Sequence, residues 1–518
     1  MAPMLFLVAL LAAPTDTARF QQGVDYRIEA RLDEATHVLH GRARLRYVNH
    51  SPATLDTLWL HQYLNAFRPN SDWARRELLF GERRFQDLGP EDHAYSRFTG
   101  VEVGGRVVRP VYPGAPDSTV VALPLPAPLR PGDSVVVRMD WNARLSTEPR
   151  RQGRRGRHYD FAQWYPRIAV YDTAGWEAHP LLPQGEFYGE FASYDVTLDV
   201  ASDQVIGATG VPVAGDPGWA RAAAAGTGPI RYDRDAYAGR PARSLGLLTG
   251  TPAPGRKRVR WRAEDVHDFA WSIDPAFIYE QGTAPRTGAD GGTITVHVLY
   301  QPGDSAWSGV AVARTDSALA WLQATLGPYV WPQFTILHRI EGGGTEFPML
   351  IMTGSASTSL IAHETAHQWA FGMLANNQWR ASWLDEGLAS FLASWYLEDH
   401  GTTGRWAALI AQERRWERAG ATQPIAQPAE DFRDMATYGE MSYTKTAIVL
   451  YMLRERVGDD TMRRILRRYY GENVLHHVTE ADLRRAVNEV TGEDYDWFFD
   501  KWLHTTEPLD YEAGGGSG

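Results

Sequence analysis

The chain has no cysteine among its 518 residues. Disulfides and thiolate-held metals are therefore excluded. It also lacks any long run of like charge, and its net charge is −11. That balance argues against a nucleic-acid partner. The one basic cluster, RRQGRRGR at 150–157, is flanked by Gly and reads as a solvated loop near a cleft. Long apolar runs are missing too. Met4–Ala13 is the longest candidate, and a bilayer span takes roughly 20 residues. What remains is a chain with 44% hydrophobic and 12% aromatic residues, enough for sizeable cores in two or three domains.

The N-terminus, MAPMLFLVALLAAPTDTA, has small residues after its apolar run, with Ala18 as a cleavage edge, but no basic segment before it. The expectation is a signal segment over 1–18 and export to the periplasm or medium. The C-terminal GGGSG reads as part of a flexible tail over 511–518.

Residues 22–285 alternate in the manner of strands. Tyr26, Ile28, Ala30 and Leu32 share one face, as do Leu39, Gly41, Ala43, Leu45 and Tyr47, and Tyr194, Val196, Leu198 and Val200. Period-2 patterning between Gly and Pro clusters predicts an antiparallel all-β domain with one solvated face. QGTAPRTGADGGT at 281–293 is rich in breakers and sets the expected hinge, with a second domain over 286–510. There a strand, TITVHVLY, precedes a helix closed by Gly327, and from 358 onward the pattern is helical. Strands followed by helices give an α+β class.

HETAHQW at 363–369 carries the chemistry. Residues four apart share a helix face, so His363 and His367 can present two imidazoles to one cation, with Glu364 beside them as general base. A helix with satisfied surface histidines is the competing reading. WLDEGLASF at 383–391 shifts the balance, because Leu384, Leu388, Phe391 and Leu392 again follow helical spacing. A second helix packed on the first could bring Glu386 to the metal. Two imidazoles, one carboxylate and an open water position make a hydrolytic zinc site.

With this spacing of H-E-x-x-H and W-L-x-E-G, the chain resembles the gluzincin metallopeptidases, and among them the aminopeptidase N family in its bacterial two-domain form. EGGGTEFPM at 341–349 resembles the family's exopeptidase segment, which implies that Glu346 binds the substrate α-amine, with Gly343 and Gly344 also at the substrate. Thr345 stands where the family usually has Met, and Phe347 where it often has Asn. YTKTAIVLYML at 443–453 resembles the family's Y-x-K-G segment, with Thr446 in place of Gly. Tyr443 is then the oxyanion donor, and Tyr438 nearby reads as a packing residue. FAQWYPRIAVYD at 161–172 and GEFYGEF at 185–191 resemble N-terminal-domain segments of bacterial relatives. Gln163 is a candidate to reach the amine, but packing of Trp164 and Tyr165 is the favoured reading there.

The resemblance implies a saddle-like β domain followed by a thermolysin-like catalytic domain, without a C-terminal helical-repeat domain. It implies one Zn2+ per chain, held by His363, His367 and Glu386, and removal of N-terminal residues from peptides with a free N-terminus. A thermolysin-type endopeptidase and a non-catalytic binding protein on the same fold are the alternatives.

Overall fold

A computed structural model describes residues 19–508 apart from 226–227, 231, 233, 235, 238–253 and 289–290. The expected signal segment and the tail over 511–518 lie outside the described residues. No helix among the described residues is long and apolar enough to cross a membrane.

The N-terminal half is built on an eight-stranded sheet. At its centre Gly23–Asp33 pairs with Val38–Val48 on one side and Ala192–Ala201 on the other. The alternating apolar residues named above turn one way and are buried, with Ile28, Leu32, Leu39, Leu45, Val196 and Leu198 all at 0% exposure. Each such side chain contributes about 1.5–3 kcal/mol on burial. The opposite face carries cross-strand charge pairs, Arg42 with Asp140 at 2.8 Å and Arg260 with Asp195 at 2.6 Å. One pairing departs from the antiparallel expectation: Gly23–Asp33 and Ala192–Ala201 run parallel. Their long connection allows this, since only strands joined by a tight turn must be antiparallel.

A second sheet of five strands runs Ile278–Pro285, Thr293–Tyr300, Gln333–His338, Leu350–Thr353, Gly344–Phe347. Its two central pairings are parallel, and helix Val310–Thr325 makes the crossover between the first of these pairs. The expected boundary at 285/286 needs correction. Ile278–Pro285 is antiparallel to Thr293–Tyr300 in this same sheet, so the five-stranded sheet begins at Ile278, before the expected boundary. Gly344–Phe347 is its edge strand.

Helix Thr358–His367 packs on that edge strand and on helix Leu388–Asp399, which in turn packs on helix Thr446–Val457. Within the helical C-terminal part, Leu374–Asn376 and His476–Val478 pair as short parallel strands. Extensive sheets followed by packed helices give the α+β class expected.

Candidate active site

Ser357 caps helix Thr358–His367, its hydroxyl accepting from the Leu360 N–H. The helix delivers His363, Glu364 and His367 to one cleft of about 420 Å3. Glu386 and Tyr443 come from π-helical turns, Trp383–Gly387 and Glu440–Lys445, and a third such turn, Gln368–Met373, follows His367 directly. One extra residue per turn re-aims a side chain at a cost in backbone bonding, which is why such turns gather at functional sites.

His363 Nε2 lies 3.1 Å from His367 Nε2, and Glu386 Oε2 lies 3.3 and 3.1 Å from the two. A zinc ion about 2.0 Å from three tetrahedrally placed donors requires them roughly 3.3 Å apart. The chemistry also fits. The His367 Nδ1–H faces Asp385 Oδ1 at 2.5 Å, which turns the Nε2 lone pair to the shared centre. Among the described residues, Glu386 Oε2 accepts no hydrogen bond. The three residues fit a zinc ion. Burial alone would push His367 down, but Asp385 and Glu386 outweigh it and hold the imidazole well above its usual value. Burial also pushes the Glu364 carboxyl up, to about 7, against the pull of His363 and His367.

The Gly-rich turn approaches Glu364 closely. Gly343 has φ +71°, a left-handed conformation. At Gly344 a Cβ would sit 1.9 Å from Glu364 Oε1. Strand alternation then places Gly344 and Glu346 on the cleft side. Thr345 and Phe347 face the other way: Thr345 Oγ1 accepts from Arg339, and Phe347 stacks on Phe187 at 6.3 Å. Both departures from the family segment therefore lie off the cleft. The third is also accommodated, because Thr446 sits against Gly387, where a Cβ would meet its Cγ2 at 2.1 Å.

Tyr443 donates from its hydroxyl to Glu386 Oε1 at 2.5 Å, and its ring stacks on His363 at 6.0 Å. Tyr438 is more than a packing residue, since it too lines the cleft beside Tyr443. Gln163 is not at the site. It donates to Asp268 at 3.0 Å within a buried cluster that also holds Tyr165 and Arg167. The aromatic stretch that carries it is core, as Trp164 at 0% exposure shows.

Four residues at the site had no site role assigned to them from the sequence. Glu186 brings a carboxylate oxygen within 4.8 Å of Glu346 and Glu386. Arg151 pairs with Glu186 and is 7% exposed, and its N–H and the Arg150 guanidinium both donate to Glu341. The start of the basic cluster is thus a cleft wall rather than a solvated loop. Asp385 orients His367, and Gln378 donates to Asp385. Asp385 was adjacent to a marked residue. Arg151 and Glu186 lie in stretches marked for other reasons, the basic cluster and GEFYGEF, and Gln378 has no local signal.

Residues 351–502 match the model of the peptidase family M1 domain. Among curated proteins, leukotriene A-4 hydrolase of Xenopus laevis is 26% identical over 220 residues, covering 37% of this chain and 36% of that protein. Leucyl aminopeptidase of Saccharolobus solfataricus is 25% identical over 154 residues, covering 28% of this chain and 19% of that protein. The matched stretches span well under half of either relative. In structure, the M1 zinc metallopeptidase of Deinococcus radiodurans aligns over 95% of this chain and 96% of that chain, with TM-score 0.64 and 18% identity. A mutant of that protein bound to a Tyr-Ser-Ala substrate aligns over the same shares with TM-score 0.63 and 17% identity. Residues 351–502 thus match the peptidase family M1 domain, in a chain whose fold is that of the two-domain M1 zinc metallopeptidases.

Proposed function

We propose that this protein is a zinc-dependent aminopeptidase that removes N-terminal residues from peptides, with one zinc ion held by His363, His367 and Glu386. The observation that carries this reading is the meeting of two groups in one cleft: the three converging ligand atoms, and the carboxylates of Glu346 and Glu186 within 4.8 Å of Glu386. The relatives named as aminopeptidases, and the substrate-bound relative, support it.

Zinc, when bound, supplies Lewis acidity toward a carbonyl and toward water. The rest falls to the chain. Glu346 and Glu186 receive the substrate ammonium, and Arg151 neutralises part of their charge. A peptide with a blocked N-terminus would offer these buried carboxylates no ammonium to offset the charge that Arg151 leaves, which is costly. Holding the ammonium also sets the first peptide bond in register. Gly344–Phe347, at the edge of its sheet, lies where it can offer backbone groups to the substrate chain. Glu364, close to neutrality in its proton affinity, takes a proton from water and passes it to the leaving amine. Tyr443 turns its hydroxyl to the oxygen that gains charge.

The test is hydrolysis of L-leucine amide with metal analysis. Activity should track zinc content, vanish with a chelator and return with zinc. Full activity in metal-free protein would overturn the reading. Export with cleavage is proposed on the N-terminal sequence alone, and fractionation with N-terminal sequencing of the native protein tests it: a chain found only inside the cell would contradict export, and one starting at Met1 would contradict cleavage.

A further inference from the structure

Gln378 lies between the short strand Leu374–Asn376 and the turn that carries Glu386. It is fully buried. Its Oε1 accepts from the Phe187 N–H, next to Glu186. That contact fixes which way the amide points, so the Nε2 hydrogens must face the other side. There they meet two carboxylates, Asp385 Oδ2 and, at 3.4 Å, Glu346 Oε1. A primary amide offers one acceptor and two donors, and each is used once.

The two carboxylates have different partners. The other oxygen of Asp385 faces the His367 Nδ1–H. Glu346 belongs to the carboxylate group with Glu186, beside the ligand centre. The geometry points to Gln378 as a positioning residue that joins the metal end of the site to the amine end. Through Asp385 it fixes the His367 imidazole, and through Glu346 it fixes the carboxylate that meets the substrate. The Glu346 half rests on the aminopeptidase reading; the Asp385 half needs only a bound metal. Only a neutral donor suits this place. A carboxylate here would set a third negative charge between two buried ones, and an apolar side chain would leave both without their donor.

The test uses the full-length zinc protein with Gln378→Met, which keeps length and removes the donors, and Gln378→Glu, which keeps shape and still accepts from Phe187. Zinc affinity is measured by competition with a chromophoric chelator, kcat and KM with L-leucine amide, and folding by thermal unfolding. Loss of a second-layer partner should weaken zinc by about 10- to 100-fold. Loss of a hydrogen bond to a charged group should raise KM about tenfold, with kcat less affected. Combined with Glu346→Ala, the KM effect of Gln378→Met should disappear while the zinc effect remains. Gln378→Glu should show the same pattern more strongly, and it decides the matter if Gln378→Met does not fold.

A folded variant with lower thermal stability but zinc affinity and KM within about twofold of wild type would overturn the proposal, since those effects are what a positioning role predicts. Loss of folding in both variants would overturn it as well, because Gln378 would then be a core residue. If wild type cleaves no free-amine substrate, the aminopeptidase reading fails, and the zinc titration still decides the Asp385 half.

Discussion

Gly344→Ala adds one methyl group at the tightest point of the site. Its Cβ would lie 1.9 Å from Glu364 Oε1, 2.0 Å from Cδ and 2.5 Å from Cγ. Ordinary carbon contacts are about 3.5–4.0 Å, so the carboxyl group must retreat by roughly 1.5 Å. The obstacle is a side chain rather than backbone, so the fold can yield by rotating Glu364 away. A rotation of this kind costs about 0.5–1.5 kcal/mol. Catalysis has no such tolerance. A misplacement of about 1 Å at a reacting group can cost ~10²-fold in rate. Turnover of L-leucine amide should therefore fall at least ~10²-fold, as for the loss of a general base. Zinc content should be unchanged, because His363, His367 and Glu386 are untouched. Steady-state kinetics, elemental analysis and thermal unfolding on one preparation make the assay. A variant within a few-fold of wild type in turnover would refute the reasoning, since it would mean that Glu364 works from another position.

Other outcomes follow from the same geometry. Glu364 must be ionised to accept a proton, and burial raises it to about 7. A bound dication pulls it down, so kcat/KM should fall as pH drops through a value at or below about 7, and Glu364→Gln should remove that limb along with ~10²-fold of turnover. Metal content at each pH separates this from zinc loss, and a limb well above pH 7 would count against Glu364. Tyr443→Phe should lower kcat by ~10² to 10³, the cost of one oxyanion donor, and Tyr438→Phe by much less; the reverse order would reassign the donor. Away from the cleft, burial would push His158 down, but Asp160 and Asp274 outweigh it and raise it to about 9. A raised histidine adds stability that is full below its unfolded value of about 6.5 and is lost as pH rises through 9. His158→Gln should therefore cost ~3–5 kcal/mol at pH 6, as breaking a buried pair does, and less at pH 9, by urea unfolding; a pH-independent difference would contradict the charged state of His158.

The metal end of the site was legible because its chemistry is local. His363, Glu364 and His367 lie within five consecutive residues on one helix face, and Glu386 follows in a segment with its own apolar period. The amine end was legible only in part. Glu346 sits in a marked turn, but Glu186 and Arg151 meet only through tertiary packing of separate loops, and neither loop has a period to read. Gln378 has no signal at all, because its role depends on three partners from three segments. Gln163 is the opposite case: it lies in a stretch similar to relatives, yet its amide serves a buried network, in keeping with the packing reading of that stretch. The strands were readable from alternation, since one face is buried throughout. The parallel pairing of the first strand with Ala192–Ala201 was not, because alternation fixes a face and not a neighbour. The breaker-rich stretch at 281–293 was read as a hinge, yet both its ends pair as strands of one sheet, and breakers serve a connection within a domain as well as one between domains.

The central claim is that the cleft demands a free N-terminus, and that Glu346 enforces it. The most direct measurement pairs one short peptide in free and N-acetylated form, cut by wild type and by Glu346→Ala, with products identified by mass. Wild type should release single residues from the free peptide and leave the acetylated one nearly intact. Glu346→Ala should raise KM and lower kcat for the free peptide, and should not make the acetylated one a worse substrate. If wild type cuts internal bonds of the acetylated peptide as fast as it trims the free one, the aminopeptidase account is wrong and the site is that of an endopeptidase.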